Sequence, residues 1–262
     1  MASRFWLSLI AVFSLAVSCV SGVPAHAVTI DWVTVGDPGN AADTTGYGAV
    51  NYEYQIGKYD VTIGQYTDFL NAVAKTNDRG LWNAQMSSDQ RIRGIAQSGS
   101  DGSFVYTVVG PNGFKPAGAT SAANRPITFV SWFDAARFGN WMANGKPTGA
   151  AGPTTTDNGA YDLGTATSGN APARNTTNPN TGAAPTFYIP TENEWYKAAY
   201  YSPVKGGPST PGYFLYGTGY DATPGNGWNG SAALGFKDFA NQANYRIDSR
   251  YAVTGSWTTI DY

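Results

Sequence analysis

Along the chain, apolar positions switch from an alternating to a helical period in three places, and each switch carries a helix-start signal. In Tyr52–Ala74 alternation through about Val61 predicts a strand, after which Ile63, Tyr66, Phe69, Leu70 and Val73 recur at helical spacing. Thr62 and Gln65 stand at the junction as a capping box. The threonine hydroxyl accepts from the third backbone N–H, and the glutamine side chain reaches back to the N–H of the cap residue. Arg125–Gly145 repeats the arrangement with Ser131 and Asp134, and Asn144-Gly145 supplies a left-handed stop. Thr186–Pro203 repeats it with Thr191 and Glu194, and Pro203 ends the helix. The stripes Trp132, Phe133, Phe138, Trp141 and Trp195, Tyr196, Tyr200, Tyr201 are expected to be core. Between these units, residues 75–124 are expected to hold a hairpin at Ser103–Val109, entered by Asp101-Gly102, among Gly-rich turns. Residues 145–185 hold Gly, Ala, Thr, Asn and Pro with almost no large apolar side chains, and are expected to form a flexible insertion that buries little surface. The turn-rich stretch 203–235 carries Tyr213, Phe214, Tyr216 and Trp228, so parts of it should dock on the core.

The N-terminus follows another pattern. Arg4 precedes an apolar run, Phe5–Val17, too short to span a bilayer comfortably, and Ala25-His26-Ala27 offers an A-x-A cleavage site. Residues 1–27 therefore read as a signal peptide and residues 28–262 as the mature domain, secreted, periplasmic or on the cell surface. The alternatives are a buried or uncleaved N-terminal helix and lipidation at Cys19, where Ala16-Val17-Ser18 fits a lipobox poorly. No later apolar stretch approaches membrane-spanning length.

Composition narrows the chemistry. Net charge is −2, and no basic run of the kind that tracks phosphates is present, so nucleic acid is not an expected partner. Cys19 and His26 are the only cysteine and histidine, and both lie in the leader. The mature chain thus lacks the residues for Ser-His-Asp or Cys-His catalysis and for Cys/His zinc sites, and it can form no internal disulfide. No phosphate-binding glycine loop of the P-loop or G-x-G-x-x-G type occurs. Carboxylate pairs suit glycoside hydrolysis, but no local spacing singles one out. Glu192 and Glu194, the most suggestive pair, fall in a first helical turn, where negative charge complements the macrodipole. Asp134 is read the same way. Sequons at Asn175 and Asn229 matter only in an organism that glycosylates. Oxygen-ligand metals stay open: Ala240–Arg250 gathers Asn241, Asn244 and Asp248, either around a calcium ion or as an ordinary polar loop.

The segments IGKYDVTIGQYTDFLNAVA, RPITFVSWFDAARFGNWMANG, YIPTENEWYKAAYY and the short ANY at Ala243–Tyr245 resemble, in the same order, the sulfatase-modifying-factor family, whose best-known member is formylglycine-generating enzyme. The most specific matches are P-[IV]-x-x-V-S-W-x-D-A at Pro126–Ala135 and P-T-E-x-E-W at Pro190–Trp195. The opening GDPGNAADTTGYGAVNYEY further resembles a secreted bacterial branch. The resemblance implies a single α+β, formylglycine-generating-enzyme-like domain related to C-type lectins, loop-rich, with short sheets and two to three capped helices. It also implies a structural calcium ion held by the Asn244 side chain and the Tyr245 carbonyl, with Asp248 as the following acid in a loop shorter than the family's.

Active members of the family oxidise a substrate cysteine to formylglycine with oxygen and a copper ion held by two cysteines. Those cysteines, and a preceding G-N-V-W-E-W segment, belong to the C-terminal part of the fold, and this chain reaches Tyr262 where that part should begin. The expectation is a C-terminally incomplete domain without catalytic or cofactor-binding residues and without copper. Such a chain should expose apolar surface and be marginally stable. It would act as a binding or scaffold module for a protein or glycan ligand. The alternative is a formylglycine-generating oxidase whose longer gene restores the active site.

Overall fold

The computed structural model describes residues 28–110 and 122–224, together with the backbone of 246–247 and 250–251. Three helices start where the caps place them. α1 (Ile63–Val73), α3 (Trp132–Ala143) and α4 (Glu192–Tyr200) each have a reciprocal capping box, from Thr62 and Gln65, Ser131 and Asp134, and Thr191 and Glu194. Gly145, at φ 81°, gives α3 its left-handed stop. A single-turn helix, α2 (Gln85–Ser88), lies between α1 and α3.

Among the described residues the strands pair only as short antiparallel ribbons. β1 (Trp32–Val35) pairs with β2 (Tyr54–Gly57), and β3 (Ile95–Ser98) with β4 (Val105–Val108). β5 (Tyr201–Ser202) pairs with β6 (Gly212–Tyr213), and β7 (Arg246–Ile247) with β8 (Arg250–Tyr251). The sequence predicts strand through about Val61, but β2 stops at Gly57. The chain bends there, and at Thr62 it makes an isolated antiparallel bridge with Pro126 instead.

The core forms between α1 and α3. Tyr66, Phe69, Leu70 and Val73 from α1 meet Phe138, Trp141 and Met142 from α3, with Ile95 of β3 and Tyr106 of β4 closing one side. Phe69 is fully buried and packs edge-on against Phe138, with ring centroids 5.4 Å apart. A second cluster, Phe133, Ala136, Ala160, Tyr161 and Leu163, lies on the opposite side of α3.

That second cluster corrects the reading of residues 145–185 as an insertion burying little. Thr155, Thr156, Asp157, Ala160, Tyr161, Leu163 and Asn178 are all buried. Polar side chains of α3 replace the missing apolar ones. Asn140, itself fully buried, donates to the carbonyls of Thr156 and Tyr161 and accepts from the Tyr161 N–H. Asn144 donates to the carbonyls of Thr155 and Asn158, and Asn178 donates to the Ala143 carbonyl and the Asn144 amide oxygen. Arg137 reaches from α3 to Asp157, to which Arg79 also binds through two bonds of 3.1 and 2.8 Å. Composition undercounts this kind of burial, since satisfied polar groups can be enclosed without large hydrophobic side chains.

The loop 36–48 is fastened to α4 and β6 across most of the chain. Tyr196 donates to Asp43 (2.7 Å), Tyr201 to Asp37, Asn40 to the Tyr213 hydroxyl (2.6 Å) and the Gly48 N–H to Asn193 (2.9 Å). Gly48 has φ +92°, and a Cβ there would lie 2.5 Å from the Tyr213 hydroxyl, so both conformation and space call for glycine.

Candidate functional site

A groove of about 1310 Å³ opens between β1–β2, the first turns after Pro126 and the stretch Thr186–Trp195. Nine of its 28 lining residues are aromatic. Trp32, Tyr52, Tyr59 and Trp195 all line it and are between 41 and 52% exposed, at 42, 47, 42 and 51%. Trp195 therefore departs from the expectation that the α4 stripe is core. α4 is packed on one side only, leaving its tryptophan as groove wall, whereas Phe133, Phe138 and Trp141 of α3 are buried as expected.

One end of the groove is closed by an ion pair. Arg174 Nη2 donates to Glu194 Oε2 at 2.6 Å and Nη1 to Oε1 at 3.2 Å, while Nη2 also reaches the Ile189 carbonyl at 2.5 Å. Glu194 is 6% exposed and accepts further bonds from the Thr191 N–H (2.6 Å) and the Tyr52 hydroxyl (2.7 Å). The Tyr54 hydroxyl donates to its backbone carbonyl. The Arg174 guanidinium also lies 4.8 Å from the Tyr188 ring centroid, in a cation–π contact.

The electrostatics fix these groups in one protonation state at neutral pH. Burial of Glu194 opposes its charge, but Arg174, the Thr191 N–H and Tyr52 outweigh that cost and hold the carboxyl at about 2. Burial, followed by the Glu194 charge, pushes the Tyr54 phenol up to about 12. Glu194 is thus more than the helix-start residue the sequence suggests: it caps α4 and also anchors Arg174 and Tyr52. Only the N3 position in the capping box was legible in the sequence, because Arg174 sits twenty residues away in a stretch without periodicity. Glu192, the other acid of that turn, is exposed. Glu194, ionised at neutral pH, has no proton to hand to a leaving group. The groove presents aromatic faces, a fixed ion pair and hydrogen-bonding groups.

Asn244, Tyr245 and Asp248 lie outside the described residues, as do Trp228 and residues 1–27 with Cys19 and His26. No group of three or more His, Cys, Asp or Glu side chains able to hold a metal occurs among the described residues. None of their helices is long and apolar enough to cross a membrane. In comparisons with known proteins, the family model of the sulfatase-modifying factor enzyme 1-like domain matches residues 41–256. No curated protein matches, and no solved structure does.

Proposed function

Because the chain belongs to the sulfatase-modifying factor enzyme 1-like domain family, we propose that it is a secreted, non-catalytic member that binds a protein or glycan ligand in the aromatic groove. The observation that carries this reading is the groove itself, with Trp32 and Trp195 exposed on its walls and its one buried carboxylate locked in an ion pair. The mixed helix and short-ribbon architecture agrees with an α+β domain, and a relationship to C-type lectins is part of the proposal.

The family's oxidase chemistry needs copper held by two thiolates. The donor set does not fit: Cys19 is the chain's only cysteine and lies within the expected leader. No step is assigned to copper. A carboxylate-based hydrolase is disfavoured by Glu194, which stays ionised, and by the exposed, unpaired position of Glu192. Oxygen donors at Asn244, Tyr245 and Asp248 suit calcium, and a structural ion there belongs to the proposal. Addition of EGTA should then lower the Tm, and an unchanged Tm would remove that part.

The experiment for the main reading offers the purified protein a sulfatase-type C-x-P-x-R peptide with copper and oxygen, and looks for formylglycine by mass. No conversion is expected. Measurable turnover would reinstate the oxidase. Ligand binding is followed by quenching of tryptophan fluorescence across an array of oligosaccharides and peptides. Loss of the response in Trp195→Ala would place the ligand in the groove.

A further inference from the structure

The register of β1 and β2 determines which backbone groups face the groove. Trp32 pairs with Gly57, Val33 with Ile56, Thr34 with Gln55 and Val35 with Tyr54, and the Lys58 N–H donates to the Asp31 carbonyl at 2.7 Å. In an antiparallel pair, hydrogen-bonded and non-hydrogen-bonded positions alternate. Lys58, Ile56 and Tyr54 therefore turn their backbone groups toward β1, and Gln55 and Gly57 turn theirs away from it. Both residues line the groove, and among the described residues their outward N–H and C=O groups have no backbone partner. Among the described residues the ribbon has two strands only, and this edge of β2 is unpaired.

The same chain is already paired a few residues further on. The Ile127 N–H donates to the Val61 carbonyl (3.0 Å), and the Ile63 N–H donates to the Arg125 carbonyl (2.7 Å). Residues 125–127 thus lie antiparallel to residues 61–63, and Phe129, at φ 60°, then turns the segment aside. Among the described residues this chain is paired at Val61 and Ile63, beyond the bend, but not at Gln55 and Gly57. Natural proteins protect such edges, because they template pairing with other chains.

We infer that the groove takes an extended segment of another polypeptide, which adds to the free edge of β2 as a third strand. This rests on the reading of the groove as a binding surface. Three observations single out that occupant. The open edge supplies two donors and two acceptors at strand spacing, which main-chain amides match and sugar hydroxyls match poorly. Tyr52 and Tyr59 flank the edge, ready to cover alternate side chains of an incoming strand. Glu53 and Asp60 line the groove without an ion pair among the described residues, against Lys58 and an Arg174 already paired with Glu194, so a Lys or Arg near the end of the segment is complementary. At about 1310 Å³ the groove also exceeds the roughly 300–1,000 Å³ of small-molecule pockets.

The test uses the full chain and a blocked ten-residue peptide of alternating valine and threonine with a lysine at each end. Its fully N-methylated twin and a chito-hexaose serve as comparison probes. The peptide should quench tryptophan fluorescence and slow amide exchange at Gln55 and Gly57 at least tenfold, and the N-methylated twin should bind at least tenfold more weakly. Gln55→Pro removes one outward donor while sparing the β1–β2 ladder, and should weaken the peptide at least tenfold. Should that variant fail to fold, exchange on the unmodified protein decides alone. Peptide binding without protection at Gln55 and Gly57, equal binding of the twin, or no peptide binding overturns strand addition. Concentration-dependent dimerisation that protects the same amides also overturns it, in favour of a second copy. Quenching by chito-hexaose alone would keep the groove as a binding surface while removing this occupant. Silence from every probe would remove both.

Discussion

Glu194→Gln neutralises the groove's ion pair while keeping the size of the side chain. Glutamine also serves at the N3 position of a capping box, so its carbonyl can still accept from the Thr191 N–H, and the helix start is preserved. The variant removes the negative charge facing Arg174, whose side chain is 28% exposed, and turns Oε1, the acceptor for Tyr52 and Arg174 Nη1, into an amide donor. A carboxyl held at about 2 against 4.5 in the unfolded chain corresponds to roughly 3 kcal/mol of stability at neutral pH. Breaking a buried pair costs about 3–5 kcal/mol, and the partial exposure of Arg174 puts this case at the lower end. The sign gives a second handle. The folded-state pKa is depressed, so the contribution is complete above the unfolded pKa and is lost as pH falls through the folded one. Urea unfolding of both proteins from pH 7 to pH 3.5 should therefore show the gap narrowing from about 3 to about 2 kcal/mol. A gap below about 0.5 kcal/mol at pH 7, or one that does not change with pH, would refute the assignment of Glu194 as a buried anion held by Arg174.

Three further outcomes are expected. Asp157→Asn leaves Arg137 and Arg79 without their shared carboxylate and should cost about 3–5 kcal/mol, read as a lowered urea midpoint; a loss under 1 kcal/mol would mean that the cluster is not held by charge. Ser131→Ala removes the α3 cap and its bond to Asp134, and should cost about 1 kcal/mol with Tm as the readout. Tyr54 should ionise near 12, within a late phenolate absorbance step that it shares with Tyr201 and that Tyr54→Phe reduces by one phenol; because its folded pKa is raised, its contribution to stability holds below pH 10 and is lost as pH rises through about 12.

Local signals were legible in the sequence. The three helices begin at Thr62, Ser131 and Thr191 because a cap involves residues three apart and little else. The family was legible too, since its motifs fall around those caps. Two features were not. Residues 145–185 look unfit for burial because composition counts apolar side chains, while the segment is held by Asn140, Asn144, Arg137 and Asn178. The groove arises from contacts that no window of sequence contains, such as Tyr52 with Glu194, 142 residues apart. Trp195 shows the same limit: helical spacing identifies an apolar stripe but not whether a neighbour covers it.

The loop 36–48 sets a timetable for folding. Its partners Asn193, Tyr196, Lys197 and Tyr213 follow it by 145 to 173 residues. Synthesis at about 5–20 residues per second keeps that loop waiting roughly 7 to 35 s for them. Meanwhile α1 can already pack on the β3–β4 hairpin, whose bonds to Asn71 span only 35 residues. A segment made early is thus among the last to settle. A chaperone that holds the nascent chain would meet this loop while its tyrosine partners are still unmade.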